Sequence, residues 1–329
     1  MKLSICIPTF NRSKLLAEGL AMLLPQIKGR DDVYLYIFDN NSSDDTEYIV
    51  HELISNFKNV KYQKNETNIG YVGNQLRCIE TPNTEYIAIL CDDDIYLRNS
   101  IDIIMDTLKS HDHFSFVALN YFSFKESYDK PVNLSFAPQF DKLFERPYDI
   151  MNYPSVGHFS GFIFNRCLAQ DCLSELKIQY GDNIFTYFEK HRGIITHLAN
   201  IILSSCKLPS FFIGSHVLAA RIPDVVDYDL LYHMNYDYLE YYSRLFLDGY
   251  INERDYKYRR SIVLSTLPKA IWIESETKSK IDYEVLKSKF DVLLFGNTYY
   301  RFFIRPMFKI SQLFLFKKLF LLAYKVYKK

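Results

Sequence analysis

The chain has 329 residues, 48% of them apolar, and a formal net charge of zero. This is too long for one small core but apolar enough for a large one, and the balanced charge gives no global field that would favour nucleic acid. Six cysteines with no CxxC pair and no Cys/His zinc spacing fit a reducing cytoplasm. The short apolar start "MKLSICIPTFNR" excludes a signal peptide, and no apolar run of about 18–20 residues supports a membrane-spanning helix.

In chain order, Lys2 to Ile7 reads as a buried strand closed by Pro8. Residues 13–27 read as a helix, with Leu15, Leu16, Leu20, Leu23 and Leu24 at helical spacing. Val33 to Phe38 is a second strand, followed by the turn and cap signal "DNNSSDDT" and a helix from Glu47 to Phe57. A short strand at 60–63 precedes the loop "NETNIGYVGN", and a helix starts near Asn74. Tyr86 to Leu90 is a strand, 99–108 a helix and 114–119 a strand. Residues 125–155 read as irregular. Strands at 158–165 and 208–214 flank a turn into a helix at 180–191.

Strands and helices alternating about every 25 residues imply βαβ units and a largely parallel sheet covered by helices. Past about Arg221 the chain turns to Tyr, Leu and charge with long helical stretches, so the expected division is 1–220 and 221–329.

In sheets of this kind ligands bind beyond the carboxyl ends of strands. Three polar clusters fall there: "PTFNR", "DNNSSDD" and the triplet Asp92-Asp93-Asp94. One helix cap needs one aspartate, not three, so the triplet suggests a hard divalent cation held by oxygen ligands. An EF-hand is excluded, because the sixth and twelfth positions counted from Asp92 are Leu97 and Ile103. Asp39 reads either as a turn residue or as an acceptor for a base or ribose. Ser43 and Asp44 can already cap the following helix. In the loop after the third strand, Asn68, Gly70, Gly73 and Asn74 offer amides and close backbone approach, or form a plain loop. No dinucleotide fingerprint and no GxxxxGK[ST] occurs, which disfavours hydride transfer and P-loop hydrolysis.

Taken in order, "SICIPTFNR", "IFDNNSSDDT", "NETNIGYVGN" and "AILCDDDIYL" resemble the N-terminal half of family 2 glycosyltransferases. The likeness covers residues 2–110 well and 155–216 loosely. It implies a GT-A fold, a Rossmann-like mixed sheet flanked by helices, with a mainly helical C-terminal region. It also implies a nucleotide-diphospho-sugar donor and Mn2+ or Mg2+. The donor would meet Pro8, Thr9, Asn11, Arg12, Asp39, Asn41, Asn68, Gly70, Asn74, Asp92 and Asp93. Asp94 would bind the metal, with Asp92 on the ribose or a metal-bound water. Asp182 in "YGDNIF" would be the catalytic base, where relatives often carry Glu-Asp and this chain has Gly181. Its other reading is a helix cap, and Asp171 and Glu189 are lesser alternatives. Gly161 would border the acceptor. His216 would complete the metal shell or serve structure, with His158 and His191 ranked below it.

From Arg301 to Lys329 there are eight Lys or Arg and no Asp or Glu. On a helical wheel Lys317, Lys318, Lys325, Lys328 and Lys329 share an arc of roughly 120° opposite Leu315, Phe316, Leu319, Phe320 and Val326. The expectation is a helix lying on the cytoplasmic membrane surface, or one docked on protein. The resulting function is an inverting glycosyltransferase of O-antigen or capsule synthesis, peripheral on the inner face of the cell membrane. It would act on a lipid-linked oligosaccharide acceptor, with self-association left open. The alternatives are a nucleotidyltransferase and a non-catalytic sugar-binding or scaffold protein.

Overall fold

The computed structural model describes residues 1–111, 113–133, 139–153, 156–190, 193–222, 235–276, 282–294 and 296–311. It separates into two compact units, Met1–Asp224 and Val225–Lys329.

The first unit is built on one mixed sheet. Strand β1 (Leu3–Thr9) leads to α1 (Ser13–Ile27), β2 (Val33–Asp39), α2 (Thr46–Ile54), β3 (Val60–Lys64), α3 (Gly70–Glu80) and β4 (Tyr86–Ile89). The two-residue β5 (Ile95–Tyr96), α4 (Ser100–Lys109) and β6 (Phe116–Phe124) follow. After the short β7 (Pro131–Asn133) and β8 (Lys142–Phe144) come β9 (Phe162–Asn165), α5 (Arg166–Tyr180), α6 (Ile184–Lys190), α7 (Ile194–Ser205) and β10 (Ser210–Arg221). The strand order is β3-β2-β1-β4-β9-β6-β10-β5. The β3, β2, β1 and β4 ladders are parallel, as is β6 with β10; β9 is antiparallel to both β4 and β6.

Residues Leu3, Ile5 and Ile7 share one sheet face with Val33, Leu35 and Ile37, and pack with Leu16, Leu20, Leu23 and Leu24 of α1 and Ile101, Ile104 and Leu108 of α4. Cys6, on the opposite face, lies against Cys78 of α3. Both faces being covered explains why these strands read as continuous apolar runs rather than alternating ones.

Three differences from the sequence expectations have clear causes. Pro8 lies inside β1 rather than closing it. Cys6 accepts from the Leu90 N–H, so even-numbered residues of β1 turn their amide groups towards β4, which ends its pairing at Ile89. The missing proline N–H falls where no ladder remains to need it. Helix α3 begins at Gly70, four residues before the expected start, because Asn40 docks the preceding loop; Gly70 takes φ 78, which only glycine adopts freely. The strand expected over 158–165 is reduced to β9, since a 3-10 turn occupies Phe159–Gly161.

Within the described residues the second unit is helical: α8 (Asp237–Leu247), α9 (Glu253–Glu276), α10 (Tyr283–Leu294), a π-helical turn at Tyr300–Ile304 and α11 (Met307–Ile310). Its core joins Leu239, Leu267, Ile271, Phe290, Tyr300 and Phe308. Asp291 accepts from both Tyr300 Oη (3.0 Å) and Arg305 Nε (2.8 Å), which fixes the π turn. The basic segment expected over 309–329 lies outside the described residues from 312 onward, and His191 also lies outside them. Among the described residues no helix is long and apolar enough to cross a membrane.

Candidate active site

The site is assembled where β1, β2 and β4 end. After Thr9 the chain takes a positive φ at Asn11 (52°), and after Asp39 it does so at Asn41 (66°). Both positions suit asparagine, the side chain that best tolerates left-handed backbone after glycine. The two loops are then tied together. Asn11 N–H donates to Ser42 Oγ (2.9 Å), Ser43 N–H to Asn11 Oδ1 (2.8 Å) and Ser13 N–H to Asp44 Oδ2 (3.0 Å). Asp44 also accepts from Thr46, so one carboxylate serves the starts of both α1 and α2.

Asp39 is fully buried. Its Oδ1 accepts from Ser42 N–H (2.8 Å) and its Oδ2 from the Tyr62 hydroxyl. The carboxylate therefore holds the turn, the alternative set against a donor contact in the sequence. Burial, then the Asp39 charge, pushes the Tyr62 phenol well above its usual range and keeps it a donor. Asn40 is a hub that the sequence did not mark. It donates to Asn68 Oδ1 (2.8 Å) and the Gly70 carbonyl (3.2 Å), and accepts from Asn65 (2.9 Å) and Ile69 N–H (2.9 Å). Asn74 donates to the Phe38 carbonyl (2.9 Å). Thus Asn68, Gly70 and Asn74 are brought to the strand ends with their polar groups engaged in docking α3, whereas Asn41 is exposed.

The triplet forms a turn closed by Asp94 N–H to the Cys91 carbonyl (3.2 Å). It lies against α1, where a Cβ on Gly19 would come within 3.2 Å of the Asp94 carbonyl oxygen. Asp92 is buried; its Oδ2 accepts from Thr9 Oγ1 (2.8 Å) and its Oδ1 from Arg12 (2.9 Å). The same guanidinium nitrogen reaches Asp93 Oδ2 (3.2 Å). Asp94, 2% exposed, accepts from Ser160 Oγ (2.5 Å) and meets His158 Nε2 (2.6 Å) through Oδ2, while its Oδ1 accepts from Arg221 N–H (2.9 Å). Ser160 Oγ also accepts from Cys91 N–H (2.9 Å), so it clamps the turn from both ends. The Arg221 side chain donates to the Asp93 carbonyl (3.2 Å), pairs with Glu18 and lies over Phe124, 4.4 Å from the ring centre.

Three adjacent carboxylates are thus met from within the chain by the charges of Arg12 and, when protonated, His158, while Arg221 contributes its backbone N–H and directs its guanidinium to Glu18. The compensation is incomplete for two of them. Burial pushes the Asp92 carboxyl above its usual range despite Arg12 and Thr9. Burial together with the charges of Asp94 and Asp92 does the same to Asp93. A site that raises carboxylate pKa values in this way favours an added cation. The Sγ of Cys91 and carboxylate oxygens of Asp93 and Asp94 lie within 4.8 Å of one another, a spacing one ion could span. Two carboxylates fit Mn2+ or Mg2+, whereas burial and the charge of Asp94 push the Cys91 thiol well above its usual range, so it is not a ready ligand for either ion.

Neither Asp92 nor His216 belongs to that cluster. His216 sits in an irregular part of β10, where the register to β6 shifts on both sides of it. Its Nε2 is buried with no hydrogen-bond partner among the described residues, its ring lies edge-on to Phe122, and burial lowers its pKa. The histidine at the triplet is His158, whose pKa burial would lower but the bond and charge of Asp94 raise overall. Gly161 is buried in the turn that carries Ser160, and a Cβ there would come within 3.1 Å of the Leu119 carbonyl oxygen.

Asp182 is exposed and makes no capping hydrogen bond or ion pair among the described residues. Gly181 before it takes φ 50 as the C-cap of α5, which accounts for glycine at that position. The partners Ser160, His158 and Arg221 lie 64 to 127 residues from Asp94, beyond the reach of local pattern. The one available signal was the polar "HFS" before Gly161.

The sequence model described as Glycosyl transferase family 2 matches residues 4–168. The abequosyltransferase RfbV of Salmonella typhimurium is 33% identical over 111 residues, 33% of this chain and 33% of its own. The GalNAc(5)-diNAcBac-PP-undecaprenol beta-1,3-glucosyltransferase of Campylobacter jejuni is 32% identical over 105 residues, 32% of this chain and 33% of its own. The chain thus aligns with about a third of the length of these curated relatives. Among solved structures, S. aureus TarS 1-349 superposes with TM-score 0.64 at 13% identity, covering 95% of this chain and 90% of that one. The mannosyltransferase PcManGT from Pyrobaculum calidifontis, in complex with GDP-Man and Mn2+, gives 0.54 at 12% identity, covering 94% and 85%. The mixed sheet and its helices are those of the GT-A fold.

Proposed function

Because this chain belongs to glycosyl transferase family 2, we propose that it moves a sugar from a nucleotide-diphosphate donor to a hydroxyl of a lipid-linked glycan, with inversion at the anomeric carbon. The observation that carries this reading is the strand-end triplet held by Thr9, Arg12, His158 and Ser160. A leaving nucleoside diphosphate accumulates negative charge as the sugar bond breaks, and a cation drawn to this acidic corner would stabilise it. Asp93 and Asp94, with Cys91 beside them, would hold the divalent ion, which when bound supplies charge neutralisation at the diphosphate. Thr9, Arg12 and Asp92 line the donor side. Asp39, with both oxygens engaged, would shape the turn beside the donor's base or ribose.

Asp182 takes the proton of the acceptor hydroxyl. Its exposure and its lack of a structural partner support that role, since a base must be free to meet its substrate. One displacement with one base gives inversion. The Campylobacter relative is named for an undecaprenol-linked substrate and the Salmonella relative for abequosyl transfer. On that basis we place the acceptor in O-antigen or capsule synthesis at the cytoplasmic membrane face. The acid-free basic segment from Arg301 onward supports a membrane surface as partner.

The test is release of nucleoside diphosphate from a panel of UDP-, GDP-, CDP- and dTDP-sugars, with and without MnCl2, using wild type and Asp94→Asn. Metal-dependent release by wild type alone is expected. Release of pyrophosphate, or no release from any donor with a glycan acceptor present, would overturn the reading.

A further inference from the structure

The triplet already has a cation, and it is held from the solvent side through one nitrogen. A single terminal nitrogen of Arg12 bridges two carboxylates, 2.9 Å from Asp92 Oδ1 and 3.2 Å from Asp93 Oδ2. This is the geometry of a point charge shared between two anions, not of the two-pronged fork that makes arginine pairs rigid. The side chain is 49% exposed, and its other nitrogens make no hydrogen bond among the described residues. It springs from the N-cap residue of α1 and makes no capping hydrogen bond. Asp92, by contrast, is buried and anchored by Thr9. One partner is therefore locked in the fold, and the other reaches it from solvent.

Asp93 is common to two arrangements. It belongs to the guanidinium bridge, and it belongs to the Cys91–Asp93–Asp94 set that one ion could span. A doubly charged ion on Asp93 would sit within a few ångströms of the guanidinium, so the two cations repel across one carboxylate. A diphosphate brought to this corner offers Arg12 a stronger anion than either aspartate.

Building on the donor reading above, we propose that Arg12 is a displaceable counter-ion that stands in for the divalent cation on Asp92 and Asp93, so that the ion binds weakly alone and loads cooperatively with the nucleoside diphosphate. Cooperativity follows because each ligand relieves what opposes the other: the diphosphate removes the competing positive charge, and the ion removes the surplus negative charge. An arginine in this place also keeps the empty corner from expelling its own aspartates.

The experiment is titration of the full chain with MnCl2, followed by the loss of the free Mn2+ resonance and by calorimetry, without nucleotide. Arg12→Gln should bind Mn2+ about tenfold or more tighter than wild type, since a competing charge is gone. Arg12→Lys, which keeps the charge, should match wild type. In wild type, saturating UDP or GDP should tighten Mn2+ by about fivefold or more beyond the complexes formed in buffer. Should Arg12→Gln fold poorly, the wild-type nucleotide effect and the Arg12→Lys comparison still decide. Equal or weaker Mn2+ binding by a folded Arg12→Gln, no nucleotide effect in wild type, or no Mn2+ binding by any variant would each overturn the proposal. The nucleotide-release assay is independent of this outcome: donor cleavage can persist while the counter-ion idea fails, and the reverse.

Discussion

Removing the Tyr62 hydroxyl of β3, which donates to Asp39 at the buried end of β2, measures how tightly the donor side is built. In Tyr62→Phe the ring and its edge contact with His51 (5.1 Å between centres) are kept, and only the donor to Asp39 Oδ2 is lost. Asp39 has no exposed surface, so the lost donor leaves a buried carboxylate oxygen short of a partner. Hydrogen bonds to charged acceptors contribute roughly 1.5–3 kcal/mol. Because Ser42 N–H still holds Oδ1, a loss of ~2 kcal/mol is expected. For a unit the size of Met1–Asp224, at about 2–4 °C per kcal/mol, the melting temperature falls by roughly 4–8 °C. The phenol is held neutral by burial and by Asp39, so the deficit stays constant from about pH 6 to pH 9. Thermal denaturation by calorimetry in the absence of metal gives the number. A shift below about 1 °C would mean that the Asp39 carboxylate is not held by this bond and that its placement as a closed turn is mistaken.

Other outcomes are equally specific. Asp182→Asn should keep nucleoside diphosphate affinity but lose transfer by about a hundredfold or more, read in single-turnover assays; near-normal rates would remove it as the base. Gly161→Ala places a methyl 3.1 Å from the Leu119 carbonyl on a central strand and should destabilise by about 1–3 kcal/mol, seen as a lowered melting temperature. His158 has a raised pKa in the fold, so its pair with Asp94 contributes fully below the unfolded value near pH 6.5 and is lost as pH rises through the folded value. In chelator, the melting-temperature advantage of wild type over His158→Gln should therefore be largest at about pH 6 and shrink by about pH 9; an advantage that grows with pH would refute the pairing.

The parts of the fold that were legible are those fixed by local pattern. The leucines of α1 gave its limits to the residue, and β1, β2 and β4 stood out because both faces of the sheet are covered. The start of α3 was hidden because it depends on Asn40, a residue thirty positions earlier whose amide organises an otherwise loop-like run. Strand β5 has two residues and exists only through pairing with Leu218 and Ala219, far along the chain. At the site, the acidic residues were visible because three charges closing an apolar strand are anomalous. Their partners were not, because Ser160 and His158 come from a turn beside β9 and Arg221 from the end of β10. Asp39 was the instructive case: Ser43 and Asp44 looked sufficient for the turn, but Asp44 is drawn to Ser13 and Thr46, and Ser42 falls to Asp39.

The proline within β1 has a consequence for where the β1–β4 ladder ends. Had residue 8 carried an N–H, the Leu90 carbonyl would be its natural partner in a continued parallel ladder, and the two strands could zip one step further. That step would draw the acidic turn towards the sheet and disturb the Thr9 Oγ1 to Asp92 Oδ2 hydrogen bond that closes this corner. An imino acid at this place makes the zipper stop, so the point at which the acidic turn leaves the sheet is set by covalent chemistry.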